Sequence, residues 1–391
     1  MAATVSPLLL CSGVRQVERP LVGVMAHVRY TPEGFGGRQG PGLRKYLETA
    51  RQEGVAACVF DPADVDLKRN RIRGCVLKTR SADGHSVLLE QRDLPLPMVV
   101  YDQILSRKYE NRVDLGAALE HLRNHCIVFN GGYFDKWQVH EWLSTEPSLR
   151  AHLPKTALLR NARTLGDFLD RHEVVFVKPI HGSLGVGIIR ARRAPDGWQA
   201  TLKPKSGPLT DFAAKSAAGL YDQFRWRVAK RRCIVQEGLN LIQWNGRPVD
   251  VRAIVQKDKS GAWRRTKLYA RVAARGEFVS NLATGGEALP LSIIGEAGRR
   301  LNMAAVKREI TRLTAEIPAV MERESERLLG ELGVDLGVDA AGRVFVIEVN
   351  SKPWKTPLTE KGSQKLVDLS FLRPILFARE LARNANARRE P

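Results

Sequence analysis

The segment VFVIEVNSKPW, residues 344–354, constrains this chain more than any other. It sets Glu348 and Asn350 two residues apart in an apolar run, flanked by Val346, Ile347 and Val349. Side chains at i and i+2 of a strand point to the same face, so a carboxylate and an amide oxygen converge. Upstream lies LGVDLGVDAAGR. A hairpin with residues 340–343 as its loop sets Asp339 opposite Val344 and, in the same register, Asp335 opposite Glu348. Asp335, Glu348 and Asn350 then bring three oxygen ligands to one point of a sheet. Hard oxygen donors without His or Cys suit Mg²⁺ or Mn²⁺, and Mg²⁺ sites usually hold nucleotide phosphates. A solvated edge hairpin is the plain alternative for the same residues.

The second informative segment is VFVKPIHGSLGVGI. Lys178 ends a buried-type strand, and a loop with Gly182, Ser183, Gly185 and Gly187 follows. Glycines let backbone N–H groups approach an anion closely. A P-loop would run Gly-Lys-Ser/Thr into a helix; here the Lys precedes the glycines and the chain returns as a strand. A glycine-rich hairpin is often only a turn. A lysine before it and a metal hairpin downstream favour a strand–loop–strand phosphate flap.

A chain of 391 residues can bury large cores, and two or three domains are expected. No apolar run approaches the roughly 18 residues that span a bilayer. The first twenty residues lack a basic n-region, which points to a cytoplasmic protein. The five cysteines are scattered, with no C-x-x-C pair, so a disulfide framework or zinc ribbon is not expected. His121 and His125 lie one helical turn apart but lack the Glu of H-E-x-x-H and a third ligand, which favours a surface pair. The net charge of +20 gathers in residues 68–73, 225–232 and 263–267 and in the tail from Arg379. Such a field attracts polyanions: nucleic acid, an anionic surface, or nucleotides and acidic substrates. Plain solvated surface charge also accounts for it. No RNA-binding aromatic signature, zinc finger or helix-turn-helix accompanies it, which argues against nucleic acid.

Residues 20–130 alternate apolar runs with helix-compatible stretches at 41–53 and 113–124, the pattern of an α/β layer. Residues 136–150 suggest a helix capped by Asp135, and a further helix opens at Thr164 with Asp167 three positions on. After a basic, polar middle, strand-like runs from residue 233 to residue 277 suggest an antiparallel sheet. Residues 302–332 carry Val306, Ile310, Leu313, Ile317 and Val320 at helical spacing, with Pro318 inside. The tail from Leu381 is expected to fray.

Taken together, Lys136 in FDKWQVHEWL, Lys178 and its glycine loop, IVQEGL, DVR at 250–252 and the 333–353 hairpin resemble the ATP-grasp superfamily. RPVDVRAIVQ, NLATGG and EVNSKPW are similar to the YheC/YheD-type, endospore-coat-associated branch. The resemblance implies an α/β (α+β) ATP-grasp fold. Its parts would be an N-terminal extension (1–20), a pre-ATP-grasp α/β domain (21–130) and an ATP-grasp domain (131–375), with a basic tail (376–391). Within 131–375 it implies a lid at 172–240 and a central antiparallel-sheet subdomain at 241–375. It implies that Lys136 and Lys178 bind ATP phosphates under the loop of Gly182, Ser183, Gly185 and Gly187. Gln236, Glu237 and Leu239 would form the adenine hinge, with Asp250 holding the ribose or a neighbouring charge. Asp335, Glu348 and Asn350 would hold Mg²⁺ or Mn²⁺, and Asn281, Gly285 and Gly286 would lie near the triphosphate. Some ligases of the family carry an Arg two residues before the first metal Asp, where this chain has Gly333. Arg252 or Arg271 is the cation expected to serve the transferring phosphoryl group instead. The implied activity is ATP-dependent ligation of a carboxylate to an amine or thiol through an acyl phosphate, in spore coat formation. Its substrates would be small-molecule or peptide carboxylates and amines, and its protein partners spore coat proteins. A nucleotide-binding coat protein with reduced catalysis, or a basic nucleic-acid binder, stays open as the alternative.

Overall fold

The computed structural model describes residues 20–31, 34–79, 87–182, 185–280, 282, 285–298, 301–358 and 363–387. The expected N-terminal extension up to residue 19, Ser183, Asn281 and the last four residues lie outside the described residues. Among the described residues, three six-stranded sheets carry the fold.

The first sheet contains β1 (Val22–Met25), β2 (Ala57–Asp66), β3 (Arg71–Thr79), β4 (Val87–Pro95), β5 (Val99–Asp102) and β6 (Ile127–Phe129), in the order β4-β3-β2-β1-β5-β6. The strands β2, β1, β5 and β6 are parallel. Parallel strands are covered on both faces and therefore read as continuous apolar runs. Alternate residues divide between two cores. Val22, Val24, Val59, Val99 and Tyr101 pack with helix α1 (Gly40–Gln52) and with the C-terminal helix; Met25, Cys58, Phe60 and Val100 pack with α2 (Gly116–His125).

The second sheet contains β7 (Thr156–Leu158), β8 (Val174–Pro179), β9 (Ile189–Ala194), β10 (Gly197–Leu202), β11 (Thr210–Ala214) and β12 (Cys233–Glu237), ordered β11-β10-β9-β8-β12-β7 and antiparallel throughout. Before it stands α3 (Lys136–Ser144), capped by Asp135, which accepts from the Gln138 N–H at 2.8 Å. The expected single helix over 136–150 breaks at Glu146, whose backbone is extended because Pro147 follows it. The next helix, α4 (Ala162–Leu169), opens at Asn161 rather than Thr164, since the Asn161 side-chain Oδ1 accepts the Thr164 N–H at 3.0 Å. Leu159, Leu165 and Leu169 share one core with Val175, Val177, Trp198 and Phe224, so this unit reaches back before residue 172. The basic, polar middle holds β10, β11 and α5 (Ala217–Lys230).

The third sheet contains β13 (Arg247–Lys257), β14 (Trp263–Val272), β15 (Glu287–Leu289), β16 (Glu331–Val338) and β17 (Val344–Asn350), ordered β15-β14-β13-β16-β17, with the short strand Gln243–Trp244 beside β13. Helix α6 (Met303–Ser325) lays Val306, Ile310, Leu313, Ile317 and Val320 on Val251, Ala253, Val255, Val334 and Leu336. It stops short of residue 332, where Glu326 turns left-handed at φ 53°. The expected pairing of Asp335 with Glu348 is present, but Val344 faces Val338, not Asp339. A bulge at Ile347 absorbs the one-residue difference. The bulge lets Val344, Val346 and Val349 all reach the core while Glu348 and Asn350 keep to the other face. Asp339 instead shapes the turn, accepting from the Ala341 and Arg343 N–H groups.

The C-terminal helix α7 (Gln364–Ala387) replaces the expected frayed tail. Val367, Phe371, Ile375, Ala378 and Ala382 recur at helical spacing and bury against the first sheet. No helix among the described residues is long and apolar enough to cross a membrane. Phe377 is 4% exposed in this core. Phe377→Ala should therefore destabilise the protein by about 3–5 kcal/mol. Thermal unfolding checks this: an unchanged midpoint would restore the frayed tail.

Candidate active site

The face of the third sheet turned away from α6 presents a cross-strand grid. Register sets Arg271 beside Asp250 and Gly337, then Tyr269 beside Arg252, Asp335 and Glu348, then Lys267 beside Ile254, Gly333 and Asn350. The alternation that buries valines on one face thus brings the charged residues together on the other.

Two aspartates and two arginines form a closed network there. Arg271 donates to Asp250 through Nε (2.6 Å) and Nη2 (2.7 Å), and its Nη2 also lies 3.0 Å from Asp335 Oδ2. Arg252 holds Asp335 through Nε and through Nη2, the latter at 2.9 Å. Ser280 donates its hydroxyl to Asp250 at 2.5 Å. Burial opposes ionisation of Asp335, but Arg252 and Arg271 outweigh it and hold the carboxyl below its usual range. At Asp250 burial, reinforced by the like charge of the neighbouring Asp335, wins over Arg271, and the carboxyl is pushed up. A Cβ on Gly333 would meet Pro353 at 3.0 Å and Arg252 Nη1 at 3.7 Å. The Arg252 guanidinium therefore lies beside the position where a side chain at 333 would begin.

Opposite the grid stand the flap and the lid sheet. Lys136, the first residue of α3, donates from Nζ to Glu348 Oε1 and to the Gly182 carbonyl, both at 2.9 Å. One ammonium thus joins the flap to β17. Lys178 donates to Gln236 Oε1 at 2.5 Å, and Gln236 donates to Thr156 Oγ1 at 2.9 Å. Burial and the nearby Lys136 push the Lys178 ammonium down to about 8, with Glu348 pulling the other way. Gly185 and Gly187 have φ values of 73° and 80°, conformations that residues with a Cβ rarely adopt. Glu237 spends its carboxylate on the Lys155 N–H (2.8 Å) and lies 3.3 Å from His172, and its own N–H donates to the Lys155 carbonyl at 2.9 Å.

These elements enclose one cleft of about 1810 Å³. Lys136, Lys178, Gly182, Gly185, Gln236, Glu237, Leu239, Asp250, Arg252, Arg271, Asp335, Glu348 and Asn350 all line it. Gly187 stands outside the lining and donates its N–H to the Lys203 carbonyl at 2.7 Å. The expected site residues thus come together from segments far apart in the chain. Sequence inspection missed Arg38, Arg107, Lys267, Tyr269 and Trp354, which line the same cleft. Lys267 and Tyr269 were accessible to it, because they alternate with Arg271 along one strand. His121 and His125 stack outside this cleft, and His121 contacts the Asn70 side chain at 2.7 Å.

The oxygen-only set of Asp335, Glu348 and Asn350 fits a hard divalent cation. Asp335 and Glu348 are adjacent across the strands, Asn350 follows on the same face, and all three face the cleft. Each carboxylate is at present neutralised by protein cations, so a metal would take over the Lys136 contact to Glu348.

The profile of the YheC/D-like ATP-grasp family matches residues 125–381. The endospore coat-associated protein YheD of Bacillus subtilis (strain 168) is 25% identical over 343 residues, covering 87% of this chain and 74% of its own length. YheC of the same organism is 21% identical over 306 residues, covering 78% of this chain and 82% of its own. Among solved structures, D-alanyl-alanine synthetase A from Vibrio cholerae O1 biovar eltor str. N16961 superposes with a TM-score of 0.52 at 13% identity, covering 94% of this chain and 98% of that one. That likeness shows a shared fold.

The lysine pair gives a direct test. In a lysine-selective NMR titration, one ammonium should titrate at about pH 8 and vanish in Lys178→Met. Lys136→Met should move that titration up, by removing a like charge, and Glu348→Gln should move it down. Movement in the opposite directions would contradict the geometry.

Proposed function

The chain belongs to the YheC/D-like ATP-grasp family, and from that premise we propose that it uses Mg-ATP to ligate a carboxylic acid to an amine or thiol through an acyl phosphate. The observation that carries this is the meeting of Lys136 and Lys178 with Asp335, Glu348 and Asn350 in one cleft. ATP would lie between the second and third sheets, its adenine at Gln236, Glu237 and Leu239 and its phosphates at the two lysines. Asp335, Glu348 and Asn350 would hold Mg²⁺, which supplies charge neutralisation at the phosphates.

The chemistry asks this of the protein. The substrate carboxylate oxygen forms a bond to the γ-phosphorus, and the bond to the departing ADP oxygen breaks. The amine or thiol then attacks the acyl carbon, phosphate leaves, and the nucleophile gives up its proton. Both partners of the first step are anions, so preorganised cations lower the barrier. Arg252, beside Gly333 and at the row with Glu348, is the cation placed for the transferring group. Arg271 is a positioning residue, because Asp250 and Asp335 engage its guanidinium. The flap, tied to β17 by Lys136, would exclude water from the acyl phosphate.

The names of the relatives suggest that the acid or the nucleophile belongs to the endospore coat, with coat proteins as partners. A coat-associated nucleotide binder without turnover is the alternative, favoured by the fact that protein cations already neutralise Asp335 and Glu348.

Trapping with hydroxylamine tests the reaction class. Acids supplied with Mg-ATP should give acyl hydroxamate and ADP, and Glu348→Gln should abolish both while ATP still binds. Bound ATP without ADP release for any acid in a broad panel would leave the non-catalytic alternative. Removing the buried Arg271 leaves the buried Asp250 without a countercharge, so Arg271→Met should cost about 3–5 kcal/mol of stability. Arg252→Lys, which loses the bidentate fork, should lower kcat with little change in ATP affinity. ATP affinity should be flat below pH 8 and fall above it, because deprotonation of Lys178 removes a phosphate-binding cation. Calorimetry across pH 6.5–9.5 checks this, and a profile unchanged by Lys178→Met would contradict it.

A further inference from the structure

Beyond Arg252 the grid continues to Lys267, Gly333 and Asn350, and the chain leads on through Pro353 to Trp354. Lys267 comes from the basic segment at 263–267 that the nucleotide site does not use. Its neighbours Arg264 and Arg265 turn to Asp258 and Thr311 outside the cleft, while Lys267 lines the cleft. Its ammonium lies 5.9 Å from the Tyr269 ring centroid. Burial and the like charge of Lys355 push it below the ordinary lysine range. Lys355 is itself neutralised by the buried Glu331, so it draws no anion of its own. Among the described residues no carboxylate pairs with Lys267.

Arg38 reaches the same cleft from the first sheet. It sits in the turn before α1, and Gln39 ties that turn to the end of β5 by donating to the Gln103 carbonyl at 2.8 Å. That places it by the carboxyl ends of the parallel strands, where α/β sheets commonly receive ligands. Its guanidinium lies 5.4 Å from the ring centroid of Trp354, which is 41% exposed. Arg38 also has no carboxylate partner among the described residues. Arg252, Arg271 and Lys136, in contrast, are all paired within the protein. These two cations stand past the phosphoryl-transfer row, on the side of the first sheet. Lys267 is half-buried and faces the cavity without an anion, which calls for one from the ligand, and Arg38 adds an exposed guanidinium at the same cleft.

Resting on the ligase reading above, we propose that the acid activated here carries a second acidic group, held by Lys267 and Arg38 beside the Trp354 ring while the reacting carboxylate lies at Arg252. The substrate class is a dicarboxylic acid, free or as an acidic residue in a short peptide. The aromatic ring gives its carbon chain an apolar surface, and the two cations select for charge.

The test uses the full chain and calorimetry in the presence of Mg²⁺ and a non-hydrolysable ATP analogue. Probes are succinate, glutarate and glutamate for the free acids, Glu-Glu for the peptide, and butyrate and Ala-Ala as single-carboxylate controls. At least one two-acid probe should bind about tenfold or more tightly than its control, the loss expected for one charge-assisted contact. Lys267→Met and Arg38→Ala should each erase that preference, and Lys267→Arg should restore most of it. The arm that binds, free acid or peptide, identifies the source of the second carboxylate. Equal binding of two-acid and one-acid probes, no binding of any probe, or a preference that survives Lys267→Met would overturn the proposal. Affinity for the ATP analogue is measured alongside. Its absence, with the two-acid preference intact, would remove the ligase reading and leave the subsite; its presence without the preference would do the reverse.

Discussion

Asp335 shared between Arg252 and Arg271 is the interaction on which the cleft depends. Three neighbouring strands, β14, β13 and β16, each contribute a charge to it, in the middle of a sheet whose other face is entirely apolar. Burying an isolated ion costs several kcal/mol. Only a closed set makes the arrangement tolerable, and two arginines against two aspartates balance. The network holds the Arg252 guanidinium beside Gly333, where a larger residue would crowd Pro353. It also leaves Glu348 and Asn350 as the oxygen donors least committed to the protein interior. Among the described residues, Lys136 is the single cation paired with Glu348, and it reaches there from another unit of the fold.

Much of this was legible in the sequence because the relevant signals are local. Alternation in residues 344–350 implied which oxygens share a face, and Lys178 followed by glycines implied a flap. The hairpin shows how a correct pairing can rest on an incorrect loop. The turn is one residue longer on the Asp339 side than expected, and the bulge at Ile347 returns the register so that Asp335 meets Glu348. No periodicity announces a bulge, since Ile347 is as apolar as its neighbours. Residues 197–230 went unread for another reason. Trp198, Ala200 and Leu202 alternate inward with Gly197, Gln199 and Thr201, but the run is short and the polar stretch 203–211 follows it directly. In α7, Arg379 and Arg383 on the outer side masked the spacing of Phe371, Ile375, Ala378 and Ala382. The charge network was beyond sequence reasoning altogether, because it needs the lateral order of strands that the chain visits out of sequence.

The strongly basic composition resolves into separate roles. The cluster at 68–73 sits on the outer hairpin of the first sheet, where Arg71 pairs with Asp93 at 2.5 Å. Residues 225–232 belong to α5 and its exit, and Lys230, Arg231 and Arg232 reach the rim of the cleft. The cluster at 263–267 splits between the outer surface and the cleft through strand alternation. These segments belong to three different units of the fold. A positive rim around a deep cleft concentrates small anions at its mouth.

The last helix packs into the first core. Val367, Phe371, Ile375 and Ala382 cover the same face of the N-terminal sheet as Leu43, Tyr46 and Leu47 of α1. During synthesis a domain ordinarily folds as its own residues emerge. Here one face of the first sheet has no complete cover until α7 has left the ribosome. The first sheet, made before the other two, is therefore finished after them. For that interval β1 and β5 expose valine-rich surface, and a nascent chain halted before residue 364 should depend on chaperones in a way the completed protein does not.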